Sequence, residues 1–324
     1  MLCIYNPCTD PYFNLAAEEY FLDSCQEDVF MLWRNEPAII VGKFQNSLAE
    51  INLDYVKEKN IKVVRRQTGG GAVFHDLGNL NFTFIESNSS GNFRTFTEPI
   101  LEVLRQLGVD ARFEGRNDLT INGMKFSGNA QCVHHNRTLH HGTLLFAAEM
   151  TDLSQALKVN PLKFQDKAVK SVRKRVTNIS EHLSDKNFTV MDLKDAIMRY
   201  VQSTNDHALS YELTDDDKAH ILRLVEDKYS TWEWNFGQSP RYTFHKTAKT
   251  GAGMVEVYMY IEKAAIQEVR IYGDFFSIKD IHELEAVLTG LPHNMERISA
   301  VINTMNVEDY IRNISVGEFL ELLF

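Results

Sequence analysis

Hydrophobic and polar positions repeat with two different periods along the first part of the chain. Residues 14–22, NLAAEEYFL, have helical spacing and predict a helix. The apolar runs at 29–33 and 38–42 predict strands around turn residues 34–37. A helix is predicted over 48–60. The strand predicted next, over 61–66, runs directly into the consecutive glycines Gly69, Gly70 and Gly71.

The pattern after the glycines is that of a strand. Apolar and polar residues alternate over 80–84. Thr97 is predicted to cap a helix over 98–107, with Pro99 in its first turn and Gly108 just past its end. Asn122-Gly123 suits the positive backbone angles of a tight turn, so 119–126 predicts a hairpin. A further strand is predicted over 139–146.

The second half of the chain divides at a composition change near residue 232. Thr189 and Thr214 each begin a helix with the Ser/Thr-x-x-Asp/Glu pattern. The stretch 231–240, TWEWNFGQSP, is interpreted as a junction. Beyond it, strands at 254–261 and 266–276 and helices at 281–290 and 316–323 predict a separate α+β unit. We therefore expect an α+β protein with domains at 1–240 and 241–324.

Composition limits the class of protein. The 324 residues, 44% of them hydrophobic, are enough to bury a full core. A net charge of -10 excludes nonspecific nucleic-acid binding through the overall field, so an anionic partner needs a local basic patch. The four cysteines show no CxxC pair, which favours free thiols in a reducing cytoplasm. With no signal peptide and no apolar run of about 20 residues, we expect a cytoplasmic protein without a membrane partner.

The three glycines do not fit the common phosphate-binding motifs. A P-loop requires a following Gly-Lys-Ser/Thr, which is missing here, and a dinucleotide fingerprint requires glycine where Phe74 stands. A strand follows instead of a helix, so phosphate contacts would come from backbone N–H groups and nearby cations. The plain alternative is a hairpin turn with solvated arginines. Function is favoured because the glycines are flanked by more polar groups than a turn needs: Arg65, Arg66, His75, Asp76 and Asn79.

Three further stretches carry candidate chemistry. Lys125 follows the predicted Asn-Gly turn, pointing away from Met124 and Phe126, so it places a charge in any cleft on that face. The pair His140-His141 lacks carboxylates or cysteines at useful spacing, which disfavours a transition-metal site. The third stretch is a basic run that is either a solvated face or a place for a phosphate or an acidic partner; its cations are Lys167, Lys170, Arg173, Lys174 and Arg175.

Several of these stretches together resemble one enzyme family. RRQTGGGAVFHDLGNLNFTF, residues 65–84, resembles the signature of the lipoate–protein ligases. The segments 117–131, 140–146 and 170–178 are similar, in the same order, to the family's lysine segment, His-Gly strand and basic loop. WEWNFGQSP and IYGDFF are similar to the accessory domain of the long bacterial members. The resemblance covers nearly the whole chain.

The resemblance implies a fold and a two-step reaction. The fold would be a mixed-sheet catalytic domain of the biotin/lipoate ligase type plus a small α+β accessory domain. Lipoate and ATP would give lipoyl adenylate and pyrophosphate, and the lipoyl group would pass to a lysine of a lipoyl domain. The acceptors would be acyltransferase subunits of 2-oxoacid dehydrogenases or the glycine-cleavage H protein. ATP and magnesium would be co-substrates, with no tightly bound cofactor, and a monomer is expected.

The resemblance also assigns roles by position. Lys125 would hold the lipoate carboxylate and the α-phosphate and stabilise the developing charge. Asp118 would lie on the adenine or magnesium side. Nucleotide contacts would come from Arg66, Gly71, Ala72, Val73 and Phe74. Lipoate contacts would come from Gly70, Gly71, Lys125 and His141. The loop closing over the adenylate would include Lys170, Ser171, Arg173 and Arg175.

Alternatives remain at individual residues and for the whole chain. His75 and Asp76 are interpreted as holding the glycine loop in shape, and His141 either lines the lipoyl tunnel or packs in a strand. An ATP-independent octanoyl or lipoyl transferase of the same fold would use a cysteine, for which Cys132 is the candidate. A biotin ligase and a non-catalytic lipoyl-domain binder are disfavoured. We expect the basic run to be poorly ordered without ligand and to close over the adenylate while the accessory domain swings about residues 232–240.

Overall fold

The computed structural model describes residues 1–45, 47, 51–87, 91–149, 176–236, 244–262 and 264–324. The strands of the large sheet are β1 (Leu2–Asn6), β2 (Val29–Trp33), β6 (Asn79–Ser87), β7 (Ala111–Glu114), β8 (Asp118–Ile121), β9 (Met124–His134), β10 (Arg137–Leu145) and β11 (Leu209–Ser210). The second sheet contains β3 (Ala38–Val41), β4 (Lys62–Arg65) and β5 (Val73–His75). The third contains β12 (Phe244–Thr250), β13 (Gly253–Glu262) and β14 (Ala265–Gly273).

Helices connect these strands. In the part before residue 236 they are α1 (Pro11–Ser24), α2 (Leu53–Glu58), α3 (Phe93–Gln106), α4 (Ile179–His182), α5 (Val190–Ser203), α6 (Asp215–Leu224), a π-helical turn (Val225–Tyr229) and α7 (Trp232–Asn235). After residue 244 they are α8 (Ile281–Leu288), α9 (Met295–Ile302), a 3₁₀ turn (Val307–Asp309) and α10 (Val316–Leu322). No described helix is long and apolar enough to cross a membrane.

The large sheet is mixed, as expected, with the order β11-β1-β2-β6-β10-β9-β8-β7. β1 is parallel to β2 and β11, whereas the other neighbours pair antiparallel. Helices α3 and α5 pack on one face through Phe96, Ile100 and Ile197. Helix α1 covers the other face through Leu15 and Phe21, in a cluster with Tyr229. A sheet covered on both faces holds the site strands β9 and β10 rigidly.

The second sheet positions the glycines. β3 pairs parallel with β4 and antiparallel with β5, and residues 66–72, called here the glycine loop, connect β4 to β5. The prediction that this loop joins two strands is therefore confirmed. One face of the small sheet packs into its own apolar cluster, which includes Ile39, Val63 and Phe74.

The third sheet has its own core, in which Val257, Ile271, Ile281, Ile302 and Phe319 are buried. It begins with the β12–β13 and β13–β14 hairpins, the second of which has a register shift between Tyr260 and Ile261. The predicted strands and the helices near 281 and 316 are confirmed, and α9 is an additional helix. We call residues 244–324 the accessory unit.

Local sequence signals were correct in some places and wrong in one. Asn122 and Gly123 have φ values of 52° and 72°, as the predicted tight turn requires. Thr189 and Thr214 both form capping boxes. The predicted cap at Thr97 is wrong: α3 begins at Phe93 with Asn92 as its cap, and the Thr97 hydroxyl donates back to the Phe93 carbonyl at 3.0 Å. Pro99 lies inside the helix.

Candidate active site

A cavity of about 290 Å³ lies where β9 and β10, the glycine loop and the accessory unit meet. One part of its wall is apolar and belongs to the core around α1; its side chains are Leu15, Trp33, Ile40 and Val73. The other part is polar and comes from the β8–β9 hairpin and the accessory unit; its residues are Arg116, Asn117, Asp118, Lys125 and Asp274. Such a cavity suits a ligand with an apolar tail and a charged head.

Lys125 stands at the polar part of this cavity. Its Nζ lies 2.7 Å from Asp118 Oδ1, and both side chains remain partly exposed. A Cβ at position 128 would lie 2.9 Å from the Lys125 ammonium, so Gly128 leaves the space that this side chain occupies. The β8–β9 hairpin thus places a cation and a carboxylate side by side at the polar part of the cavity.

The end of the basic run is attached to the same strand. Val176 forms an isolated bridge with Lys125, and the Thr177 N–H donates to the Lys125 carbonyl at 2.9 Å. The predicted closing-loop residues Lys170, Ser171, Arg173 and Arg175 lie outside the described residues. The chain that follows them is therefore held beside the candidate catalytic lysine.

Arg66 organises the glycine loop from inside. Its guanidinium is buried and donates to the carbonyl oxygens of Gly69 at 2.7 Å and Gly71 at 2.9 Å, and to Thr68 Oγ1 at 2.9 Å. Burial lowers the pKa of Arg66 to about 10. Arg66 also lines the cavity, so the cation expected to contact nucleotide is at the site and at the same time shapes the loop.

Arg65 has a different surrounding, away from the cavity lining. Its side chain is buried, and burial lowers its pKa to about 10. The Nε donates to the Trp234 carbonyl at 2.9 Å, and Nη2 donates to Ser47 Oγ at 2.6 Å. The guanidinium also donates to the carbonyls of Gly42, Lys43 and Gln45. The two neighbouring arginines are thus divided: one holds distant chain segments together, and the other supports the loop.

The accessory unit closes the outer side of the glycine loop. The Gly70 N–H donates to the Phe275 carbonyl at 3.2 Å, and Gly70 has a φ of +94°. A Cβ on Gly69 would lie 2.2 Å from the same carbonyl oxygen, so only glycine allows this approach. Phe44 and Phe275 stack with centroids 4.9 Å apart. Asp274 and Phe276 reach the cavity wall through this contact.

His141 belongs to a buried polar chain behind the cavity. Its Nδ1 lies 2.9 Å from Glu18 Oε1, and its Nε2 lies 2.8 Å from Thr68 Oγ1 in the glycine loop. Glu18 also accepts the Thr83 hydroxyl proton at 2.6 Å, and Thr83 accepts from Trp33 Nε1 at 2.9 Å. His141 lines the cavity as well. The His141 ring thus packs in the sheet and also faces the cavity, and its contact with lipoate stays a prediction.

The hydrogen bonds of His75 and Asp76 reach residues outside the glycine loop, so the interpretation that the pair holds this loop in shape stays a prediction. His75 Nδ1 lies 3.0 Å from Asn35 Nδ2 and therefore accepts, which leaves Nε2–H to donate to Thr143 Oγ1 at 2.8 Å. Burial lowers the pKa of His75 to about 3, so the ring is neutral. Asp76 accepts from the backbone N–H of Gly78 at 2.8 Å and of Glu149 at 2.7 Å.

The other predicted site residues divide between the wall and the core. Gly70, Gly71, Ala72 and Val73 line the cavity. The Phe74 side chain is buried in the cluster of the small sheet, so any contact from this position comes from its backbone. Cys132 lies on β9 beyond the cavity, and burial raises the pKa of its thiol to about 12.

Two wall residues that sequence reasoning missed are buried asparagines. Both side-chain polar atoms of Asn81 and the Oδ1 of Asn129 are buried without a hydrogen-bond partner among the described residues. Leaving such a group unpaired costs about 1–3 kcal/mol, so these atoms fit a polar ligand in the cavity. The signal was present: Asn79, Asn81 and Thr83 form the polar face of the alternating strand, and that face is buried in the structure. Glu18, Trp33, Arg116 and Asp274 gave no comparable signal.

The described wall of the cavity offers few ligands for a metal ion. Among the described residues, no group of three or more His, Cys, Asp and Glu side chains could hold a metal ion. Asp118 and Asp274 are the carboxylates on the described cavity wall. One or two carboxylates suit Mg²⁺ that arrives with phosphates, since this ion keeps several waters.

Comparison with family models and known sequences agrees with this geometry. Residues 10–202 match the model of the lipoyl protein ligase A/B catalytic domain. Residues 239–323 match that of the bacterial lipoate protein ligase C-terminus. The chain is 40% identical over 322 residues to the lipoate-protein ligase LplJ of Bacillus subtilis, covering 97% of each chain. It is 42% identical to lipoate–protein ligase 1 of Staphylococcus aureus, covering 98% of each chain.

Solved structures with the same fold include ligand complexes. P. falciparum LipL1 in complex with lipoate superimposes with a TM-score of 0.80 at 27% identity, covering 99% of this chain and 96% of that one. A lipoate-protein ligase A bound with ATP gives a TM-score of 0.62 at 30% identity, covering 73% and 97%. The bipartite lipoate protein ligase of Thermoplasma acidophilum, described with its E2 lipoyl domain, gives 0.64 at 33% identity, covering 75% and 98%.

Proposed function

Because the chain belongs to the lipoate–protein ligase family, we propose that it activates lipoate with ATP and transfers the lipoyl group to a lysine of a lipoyl domain. The observation that carries the proposal is the cavity itself. It joins an apolar part around Trp33 and Val73 to a polar part that contains Lys125. An acid with an apolar ring and chain, activated at its carboxyl end, requires both parts in one space.

The first step brings two negative groups together. A lipoate carboxylate oxygen attacks the α-phosphorus of ATP, the bond to the β-phosphate oxygen breaks, and pyrophosphate leaves. Unit charges about 4 Å apart interact by about 4 kcal/mol at an effective dielectric of about 20. Lys125 supplies the positive charge between carboxylate and α-phosphate, and Arg116 adds a second cation to the same wall.

The apolar part holds the rest of the acid. Leu15, Trp33, Ile40 and Val73 offer only carbon surface around it, apart from the Trp33 indole N–H, which is already bonded to Thr83. Each buried methylene group contributes about 0.8 kcal/mol to binding. Backbone groups of Gly70 and Gly71 and the His141 ring complete the lipoate contacts in this proposal.

The nucleotide lies along the glycine loop. Arg66, Gly71, Ala72 and Val73, with the Phe74 backbone, contact it in this proposal. Asp118 and Asp274 are the side chains that would hold Mg²⁺, which neutralises phosphate charge when bound. Lys170, Ser171, Arg173 and Arg175 close over the adenylate, which the attachment of Val176 to Lys125 supports.

The two domains of the chain have different roles in this proposal. Residues 1–240 form the catalytic domain and 241–324 the accessory domain, which contacts the glycine loop through Phe275. The acceptors are lipoyl domains of 2-oxoacid dehydrogenase acyltransferase subunits and the glycine-cleavage H protein. We propose that the enzyme works as a cytoplasmic monomer without nucleic acid.

The transferase alternative requires a nucleophilic cysteine in the site. Cys132 does not fit, because its thiol is held protonated by burial and lies on the wall of a different cleft from Lys125. The ligase relatives and the ATP-bound neighbour favour the ATP-dependent reaction over the transferase.

The test measures both half-reactions with purified protein. Lipoate and ATP should release pyrophosphate, and an added apo lipoyl domain should gain the mass of one lipoyl group only when ATP is present. Cys132→Ser should keep both activities within a few-fold. Transfer from an octanoyl carrier protein without ATP, or an acyl group trapped on Cys132, would place the protein among the transferases instead.

A further inference from the structure

A second cleft, of about 740 Å³, lies beside the active-site cavity. We call it the arginine cleft. It is formed by the outer ends of β9 and β10, the start of α3 and the accessory unit, and its cations are Arg94, Arg116 and Arg312. Among the described residues that line it there is no carboxylate, although the whole chain has a net charge of -10. The cleft is therefore a local positive surface on an acidic protein.

The arginine cleft adjoins the place where the chemistry occurs. Arg116 and Phe276 line both the cleft and the active-site cavity. The Arg116 guanidinium carbon lies 4.6 Å from the centre of the Phe276 ring, and its Nη1 donates to the Ala252 carbonyl at 3.0 Å. A partner bound in the arginine cleft and a ligand bound near Lys125 would therefore both contact Arg116 and Phe276.

The remaining two arginines are open to a partner. Arg94 and Arg312 are exposed, and none of the described carboxylates forms an ion pair with either. The Arg94 guanidinium carbon lies 5.1 Å from the centre of the Phe113 ring, which orients it without neutralising it. The first turn of α3, a helix of 14 residues, adds partial positive charge.

The shape of the cleft favours a polypeptide over a free polyphosphate. β8 pairs with β9 only between residues 118–121 and 124–128, whereas β10 pairs with β9 up to His134. Within the described chain, the outer part of β9 thus has a strand neighbour on one side only, which leaves an edge for an extended segment. Val133 and Ile278, 43% and 47% exposed, add apolar surface to the same cleft.

We propose that the arginine cleft docks an acidic, extended segment of the acceptor protein next to its target lysine, an inference that rests on the proposed ligase function. The segment lies along β9 with its carboxylates on Arg94 and Arg312, and the lysine passes Arg116 and Phe276 towards the adenylate. There the neutral amine nitrogen attacks the acyl carbon and forms the amide bond. The acyl C–O bond breaks, AMP leaves with the electron pair, and the amine proton goes to solvent.

The test separates docking from adenylation. The variants are Arg94→Glu, Arg312→Glu and the double variant, and Arg223→Glu on exposed α6 is the matched charge-reversal control. The probe is an apo lipoyl domain of a 2-oxoacid dehydrogenase. We expect pyrophosphate release from lipoate and ATP to stay at the wild-type rate. We expect kcat/KM for transfer to fall about tenfold or more in each single variant, and further in the double variant.

The salt dependence of transfer and a charge-reversed acceptor give a second, independent measurement. Transfer by the wild-type enzyme should slow as ionic strength rises, while the double variant should show little salt dependence. Lysine in place of an acidic residue beside the target lysine of the lipoyl domain should restore part of the transfer rate of the Arg94→Glu enzyme. A structural role for these arginines would produce no such rescue.

The outcomes distinguish the two levels of the proposal. Variants that transfer as well as Arg223→Glu would overturn the docking proposal and leave the ligase function intact. Variants that lose adenylation in parallel with transfer would show that the arginines serve the nucleotide, which also overturns it. A wild-type enzyme that makes no pyrophosphate would remove the ligase function and the docking proposal together.

Discussion

Lys125 Nζ lies 2.7 Å from Asp118 Oδ1, across neighbouring strands of one hairpin, with 39% and 38% of the two side chains exposed. An ion pair this exposed contributes about 0–1 kcal/mol to stability. The pair is therefore better explained by what it does in the cavity than by what it adds to folding. It keeps the ammonium in place while leaving it accessible to a carboxylate and a phosphate.

Replacing Lys125 with alanine should therefore slow adenylate formation strongly and spare the fold. We expect adenylate formation to fall by about 10²–10³, the usual cost of losing one electrostatic contact to the transition state, with the melting temperature nearly unchanged. Lys125→Arg should not restore the rate, because a planar guanidinium does not sit where a compact ammonium did. Pyrophosphate release and thermal unfolding are the measurements.

A control makes the Lys125 result specific. Lys218→Ala removes another exposed lysine that forms an ion pair, on α6, and should leave both the rate and the stability unchanged. If Lys125→Ala forms lipoyl adenylate at close to the wild-type rate, Lys125 is not the catalytic cation.

Gly69 offers a test of the contact between the glycine loop and the accessory unit. Gly69→Ala places a methyl group 2.2 Å from the Phe275 carbonyl oxygen, so the two segments must separate. The Gly70 amide, which donates to that oxygen at 3.2 Å, should then exchange its hydrogen faster. Hydrogen-exchange mass spectrometry of the glycine loop measures this change.

The matched control for Gly69 is another glycine of the chain. Gly317→Ala adds a methyl group where no heavy atom lies within 4 Å, so it should leave exchange in the glycine loop unaltered. Equal exchange in Gly69→Ala and the wild-type protein would mean that the accessory unit does not rest on this loop in solution.

Local sequence patterns predicted most strands and several residues of the cavity wall. They did not predict the contacts that surround these residues. The Asn122-Gly123 turn, the two capping boxes and the strand after the glycines follow from local rules and are confirmed. The start of α3 was missed because Asn92 competes with Thr97 as a cap, and pairing of the Thr97 hydroxyl with the Phe93 carbonyl is a feature that only the folded helix has.

The site walls depend on contacts between distant segments. Lys125 could be singled out from its hairpin, whereas Glu18 reaches His141 from 123 residues away, which no local pattern shows. Arg65 and Arg66 have the same chemistry and are adjacent, yet one binds the carbonyls of Gly42 and Trp234 and the other those of the glycine loop. Arg65 ends β4 and Arg66 begins the glycine loop, and only the packing of distant segments decides which of the two side chains reaches the cavity.

Buried histidines predict how stability depends on pH. Burial holds the pKa of His140 well below its ordinary value, with its ring stacked on Phe96 at 4.7 Å. Because the folded pKa lies below the unfolded one, the unfolded chain binds more protons at acidic pH. The stability from the neutral ring is therefore present above about pH 6.5 and is lost as pH falls below it, by up to about 1.4 kcal/mol per pH unit.

His140→Phe removes this proton uptake and fills the same aromatic cluster. We expect urea unfolding at about pH 5 to show a variant more stable than wild type, with a smaller advantage at about pH 7.5. His207→Phe changes an exposed histidine and should not flatten the pH dependence. The same acid-induced loss of stability in His140→Phe and wild type would mean that His140 does not control it.

The basic run before Val176 gives the last prediction, on closure of the site. Lys170, Arg173, Lys174 and Arg175 repel one another, and the chain after them is fixed to the Lys125 strand by the Val176 bridge. An adenylate beside Lys125 supplies the anion that these cations lack, so binding should draw them over the cavity and exclude water from the reactive anhydride. Trypsin should cut after Arg173, Lys174 or Arg175 in free enzyme, and lipoate with ATP should protect these bonds. ATP alone should protect less, because it leaves the apolar part of the cavity unfilled. Equal cleavage with and without both substrates would show that the run does not respond to the adenylate, and the proposed closure would have to be abandoned.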